Sequence, residues 1–97
     1  MRITESRGVT WTFLTNHSHV LILLAQHPEK RIRDIASEIG ITERAVQRII
    51  AELSDAGYLE VDKIGRRNRY SVDGTKYLRH PVESHCTIAD LMRVIGD

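Results

Sequence analysis

The sequence predicts a mainly α domain closed by one small β-hairpin, and two observations carry that expectation. Apolar residues recur at helical spacing in three stretches between His17 and Ala56, and again from Thr87 to Ile95. From Tyr58 to Val72 the period falls to two, and a glycine interrupts the alternation as a hairpin turn would. The chain has 97 residues, 41% apolar and 28% charged, so a single domain over 1–97 with a thin core is expected. Aromatic residues are few (Trp11, Phe13, Tyr58, Tyr70 and Tyr77), leaving Ile, Leu and Val to fill most of that core.

Residues 1–8 read as a frayed start, and VTWTFL over 9–14 fits either a strand or a short helical turn. Thr15 or Asn16 can accept from the first free N–H groups of a helix through HSHVLILLAQ. That helix must end before Pro28, because the residue preceding a proline is pushed out of the α region. Its apolar positions wrap more than one face, which predicts burial on two sides, one in its own domain and one against a partner chain. A second helix is expected over about 33–39 with Ile35, Ala36 and Ile39 inward. Gly40 suits the left-handed position just past a helix end, since it lacks the Cβ that makes this conformation costly. Thr42 is a good N-cap for a third helix that runs to about Ala56 and stops at Gly57. In YLEVDK, Leu59 and Val61 share one face while Glu60 and Asp62 share the other, and RYSV repeats the alternation. IGRRN between them is short enough for the hairpin connection. Asp73-Gly74 signals a turn, His80-Pro81 breaks the chain, and Thr87 can cap a last helix over about 87–95. Ile88, Leu91, Met92 and Ile95 form its apolar stripe.

The functional signal is a spacing. Ile35-Ala36, then Ile39-Gly40-Ile41, then Val46 and Ile49 describe two helices meeting steeply across a tight turn, a helix-turn-helix over about 33–56. Ala36 is small enough for close approach, Gly40 makes the turn, and Ile41 plugs the corner. The second helix of such a pair can lie in a DNA major groove. A hairpin over about 58–72 follows, with Arg66, Arg67, Asn68 and Arg69 at its tip, which makes the predicted fold a winged helix-turn-helix. Three like charges within four residues repel unless something anionic neutralises them, so the tip is expected on the flanking backbone or in a narrow minor groove.

The net charge of +1 gives no overall argument for nucleic acid, but its distribution does. Lys63, Arg66, Arg67, Arg69, Lys76 and Arg79 cluster against Asp73 alone. On the third helix, Arg44 and Arg48 share a face with Gln47; arginine pairs bidentately with guanine and glutamine with adenine. Thr42 can meet a phosphate. Glu43 either accepts from a cytosine amino group or favours the helix N-terminus. Set against contact with DNA, Arg48 can simply pair with Glu52, and Glu43 with Gln47, as surface neighbours four apart.

IRDIASEIGITERAVQRIIAELSDAGYLEV followed by GRRNRY resembles the winged-helix core of small prokaryotic transcription regulators of the MarR type, with ArsR-type regulators as close relatives. The resemblance spans roughly residues 15–95. It implies a cytoplasmic, usually dimeric protein that binds double-stranded DNA sequence-specifically, with no enzymatic activity. By position, the recognition role falls on Thr42 to Arg48, with Arg44, Gln47 and Arg48 as readers, and the wing role on Arg66 to Arg69.

Three further readings accompany this one. The same fold can serve as a protein–protein module, its arginine tip meeting an acidic surface. His80, His85 and Cys86, with His17 and His19, contain zinc-ligand chemistry but no recurring zinc spacing, so no metal and no other cofactor is expected. Cys86 is either an oxidation switch across a two-fold axis or a small buried residue. No nucleophile motif, glycine-rich phosphate loop or paired-carboxylate site supports enzyme chemistry. The absence of a signal-peptide pattern after Met1, and an apolar run of only Val20 to Ala25, predict no membrane association. A homodimer is expected through residues 9–24 and 87–95.

Overall fold

The computed structural model describes residues 10–96; the start expected to fray, over 1–8, lies outside the described residues, as does Val9. The elements run α1 (Asn16–Gln26), α2 (Ile32–Ile39), α3 (Glu43–Asp55), β1 (Leu59–Ile64), β2 (Arg67–Val72) and α4 (Ile88–Ile95). This is the mainly α, winged helix-turn-helix arrangement that the two periodicities predict.

Three of the four helices begin at a threonine; α2 follows Arg31, which makes no side-chain cap. Thr15, Thr42 and Thr87 stand in extended conformation and accept from the N–H of Ser18, Ala45 and Asp90 respectively. These bonds satisfy donors that the first turn of a helix leaves free. The helix-turn-helix corner is closed by Gly40, whose φ of 86° lies in the left-handed region, with Gly40 N and Ile41 N both donating to Ala36 O. Helix α3 ends in a Schellman motif. Gly57 takes φ 87°, Tyr58 N donates to Leu53 O at 2.9 Å, and Gly57 N donates to Ser54 O at 3.0 Å.

All four helices and the hairpin share one core. Val20, Leu21 and Leu24 of α1 meet Ile35 and Ala36 of α2 and Val46, Ile49, Ile50 and Leu53 of α3. Tyr58, Leu59, Tyr70 and Ile88 close it from the C-terminal half. Ile41 is half-buried against this cluster, as expected of a corner plug. Burying such aliphatic side chains, at about 1.5–3 kcal/mol each, is what fixes α3 in place.

The strands pair antiparallel with Val61 opposite Tyr70, Asp62 opposite Arg69 and Ile64 opposite Arg67. The strands extend further than the sequence suggests: the connection is only Gly65-Arg66, so Ile64, Arg67 and Asn68 of the expected IGRRN loop are ladder residues. Gly65 has φ 64° at the first turn position, where a two-residue type II′ turn calls for glycine. Tyr70 N donates to Pro28 O at 2.8 Å, which ties the wing to the loop between α1 and α2.

The other departures are at the ends. Helix α2 starts at Ile32, and residues 10–14 form neither a strand nor a helix. Trp11 and Phe13 instead stack edge-on at 5.0 Å, exposed by 66% and 91%. Past the wing, Asp73 Oδ1 accepts from Thr75 N and Oγ1, making the expected turn. Tyr58 Oη donates to Tyr77 O, and Tyr77 bridges Thr87, so residues 77–87 form a stapled loop that delivers α4.

Candidate nucleic-acid interface

Burying Val46, Ile49, Ile50 and Leu53 on one side of α3 dictates what lies on the other. Arg44, Gln47 and Arg48 are exposed there, with Ala51 completing the row one turn on. Arg44 makes no ion pair among the described residues. Thr42 heads the row; its hydroxyl oxygen accepts from Ala45 N at 3.0 Å, which leaves its O–H able to donate to a phosphate. Glu43 lies in the first helical turn, where its charge complements the dipole, and no hydrogen bond to Gln47 is present.

Arg48 is partly committed. Its Nη1 stands 3.5 Å from Glu52 Oε1, the pairing expected at this spacing. Sequence reasoning missed a second partner: His17 Nε2 lies 2.6 Å from the same Oε1. A carboxylate can only accept, so the proton sits on Nε2. This bond, more than Arg48, holds the Glu52 carboxyl below its ordinary range. No spacing signals it, because the residues are 35 positions apart on different helices.

The hairpin separates its four tip residues by face. Arg67 and Arg69 share the solvent face with Glu60 and Asp62, while Asn68 shares the core-side face with Lys63 and the buried Tyr70. Asn68 Nδ2 donates to Tyr70 Oη at 3.3 Å, so Asn68 braces the wing. Arg69 stands 3.5 Å from Glu29 and opposite Asp62. Arg66 in the turn and Arg67 beside it make no ion pair among the described residues. The like-charge argument for an anionic partner therefore narrows to these two, with Lys63 nearby. Lys76 lies over the Tyr58 ring, 5.4 Å from its centroid, and is not part of the wing.

A mainly apolar groove of about 950 Å³ opens elsewhere, between the start of α1, the end of α3 and residues 78–91. Leu14, Leu21, Leu53, Leu78 and Leu91 line it, with His17 and Glu52 at its polar edge. Duplex DNA is read by protruding elements and needs no such concavity, so the groove and the α3 face are separate features that meet at Glu52. Among the described residues, no three His, Cys, Asp or Glu side chains are grouped to hold a metal ion, and no helix is long and apolar enough to cross a membrane. Cys86 is half-buried with a free thiol.

The sequence model of the MarR family matches residues 7–67, from before α1 through the hairpin turn. The uncharacterized protein MJ1254 of Methanocaldococcus jannaschii is 36% identical over 69 residues. That match covers 70% of this chain but only 15% of the relative's length. The structure of T. potens IscR superposes with a TM-score of 0.60 at 16% identity, covering 90% of each chain. At that identity the likeness is one of fold.

Proposed function

The chain belongs to the MarR family of winged helix-turn-helix transcription regulators, and from that premise we propose that it binds double-stranded DNA sequence-specifically as a homodimer. Helix α3 enters the major groove with Arg44, Gln47 and Arg48 toward the base edges and Thr42 on a phosphate. Arg66 and Arg67 reach the flanking backbone or minor groove, with Asn68 and Arg69 setting the wing's pose. The observation that carries this reading is the rigid, outward row on α3, fixed by four buried side chains beneath it. No enzymatic role and no cofactor is part of it.

Titration against duplex DNA at several salt concentrations tests the reading. If Z phosphates are neutralised, log K falls against log salt with slope about −0.9Z. Engagement by Arg66 and Arg67 plus a third contact on α3 gives a slope near −3 per protomer. Absent or salt-insensitive binding to every duplex in a random-sequence pool would favour the protein-binding use of the fold.

A further inference from the structure

Glu52 is shared. One oxygen, Oε1, accepts from His17 Nε2 at 2.6 Å and faces Arg48 Nη1 at 3.5 Å. His17 belongs to α1 and borders the apolar groove, whereas Arg48 belongs to the row proposed to read DNA. A carboxylate between two donors divides its attraction between them, and imidazole is the side chain whose charge ordinarily changes between about pH 5 and 8.

We propose that His17 is a positioning residue for DNA reading, acting through Glu52 to set how firmly Arg48 is held back from the duplex. This rests on the DNA-binding reading above. With neutral imidazole, the His17–Glu52 hydrogen bond leaves the carboxylate's negative charge in place, and Arg48 remains attracted to it. Protonation of His17 forms an ion pair that cancels this charge. Arg48 then exchanges Glu52 for a phosphate or a guanine at lower cost. By linkage, a duplex that takes Arg48 leaves Glu52 to His17 and favours its protonated form. Affinity therefore rises as pH falls through the histidine range.

Other charged groups border the same opening and bound the effect. Asp55 of α3 and Glu83 of the 77–87 loop favour a cation there, Arg79 opposes it, and His80 also lines the opening. His19, two residues along α1, bonds Asn16. None of these is within reach of both Glu52 and Arg48 by any hydrogen bond or ion pair among the described residues. Among the described residues, His17 is the titratable partner that bonds Glu52 where the groove edge meets the recognition row.

The test measures affinity at about pH 6 and about pH 8, at fixed ionic strength, on a duplex selected from a random-sequence pool. The wild type binds more tightly at the lower pH. His17→Gln keeps an N–H donor for Glu52 but cannot titrate, and it loses most of that ratio; the remainder belongs to the other histidines. Glu52→Gln tightens binding at the higher pH by about two- to fivefold, the range an exposed ion pair supports, and shows the reduced ratio of His17→Gln. In an Arg48→Ala background, His17→Gln leaves the pH ratio unchanged. A wild-type ratio retained in His17→Gln, or no tightening in Glu52→Gln, overturns the assignment and leaves DNA binding intact. Selection that recovers no bound duplex overturns both.

Discussion

Arg44 and Arg48 lie one turn apart on the same helix face, yet in the proposed complex they would meet a duplex on different terms. Arg44 makes no ion pair among the described residues, whereas Arg48 would also have to leave Glu52. The wing shows the same division, with Arg66 and Arg67 making no ion pair among the described residues and Arg69 beside Glu29. Position then separates role. On the proposed reading Arg67, on a hairpin tip, contacts the backbone, so Arg67→Ala should weaken all duplexes similarly and reduce the salt slope by about 0.9. On the same reading Gln47, on the helix row, faces base edges. Gln47→Ala should cost about 1–3 kcal/mol on the preferred sequence and little on others, altering the ranking in a competition among duplexes. Equal losses from both substitutions on every sequence would remove base reading from α3. The row itself is legible in the sequence, because a period of 3.6 that buries Val46, Ile49, Ile50 and Leu53 must expose 44, 47 and 48. The partners of Arg48 and Arg69 are only half legible. Glu52 lies four along the same helix from Arg48, but Glu52's other partner, His17, and Arg69's partner, Glu29, are 35 and 40 residues distant in sequence, brought near by packing that no local pattern encodes.

At the scale of elements, the chain is punctuated by residues whose local chemistry suffices. Threonine caps and Gly40 could be placed from sequence because they act within one turn. The hairpin turn was less legible, since IGRRN contains several residues compatible with a loop, and only the pairing of Ile64 with Arg67 fixes Gly65-Arg66 as the corner. Also hidden was a capping box at α4, made with aspartate in place of the usual glutamate or glutamine. Asp90 Oδ2 accepts from Thr87 N at 2.9 Å and Oδ1 from Arg93 at 2.7 Å. These bonds, the backbone one foremost, hold its carboxyl at about 2 in place of 3.8. The folded value is the lower one, so ionised Asp90 favours the fold. Its contribution is complete above the unfolded value and disappears as pH falls toward 2. Asp90→Asn should therefore melt below wild type at neutral pH, with the gap closing between about pH 4 and 2. A gap that persists unchanged in acid would mean the carboxylate does not stabilise α4.

For the whole molecule, a thin core leaves apolar side chains on the surface. Phe13 is 91% exposed, Val94 83% and Ile95 40%, and Trp11 stacks on Phe13 in the open. Gln26 Nε2 donates to Gly96 O at 3.1 Å, so the ends of α1 and α4 stand together, and the aromatic pair lies just before the other end of α1. A two-fold interface on this surface would cover these groups while leaving the α3 row and the wing free. A palindromic site would then require the two recognition helices about one DNA turn, ~34 Å, apart. Leu91 is half-buried within its own chain, so Val94 and Ile95 are the cleaner probes. Val94→Glu with Ile95→Glu should halve the mass measured by light scattering at micromolar concentration. Binding to a palindromic duplex should then fall far more than binding to a single half-site, because the second protomer no longer adds its contacts. A double variant with wild-type mass, or a wild type that is monomeric throughout, would place the dimer contact elsewhere or remove it. In the second case the exposed Phe13 and Val94 would need a different partner, and the half-site would be the natural unit of recognition.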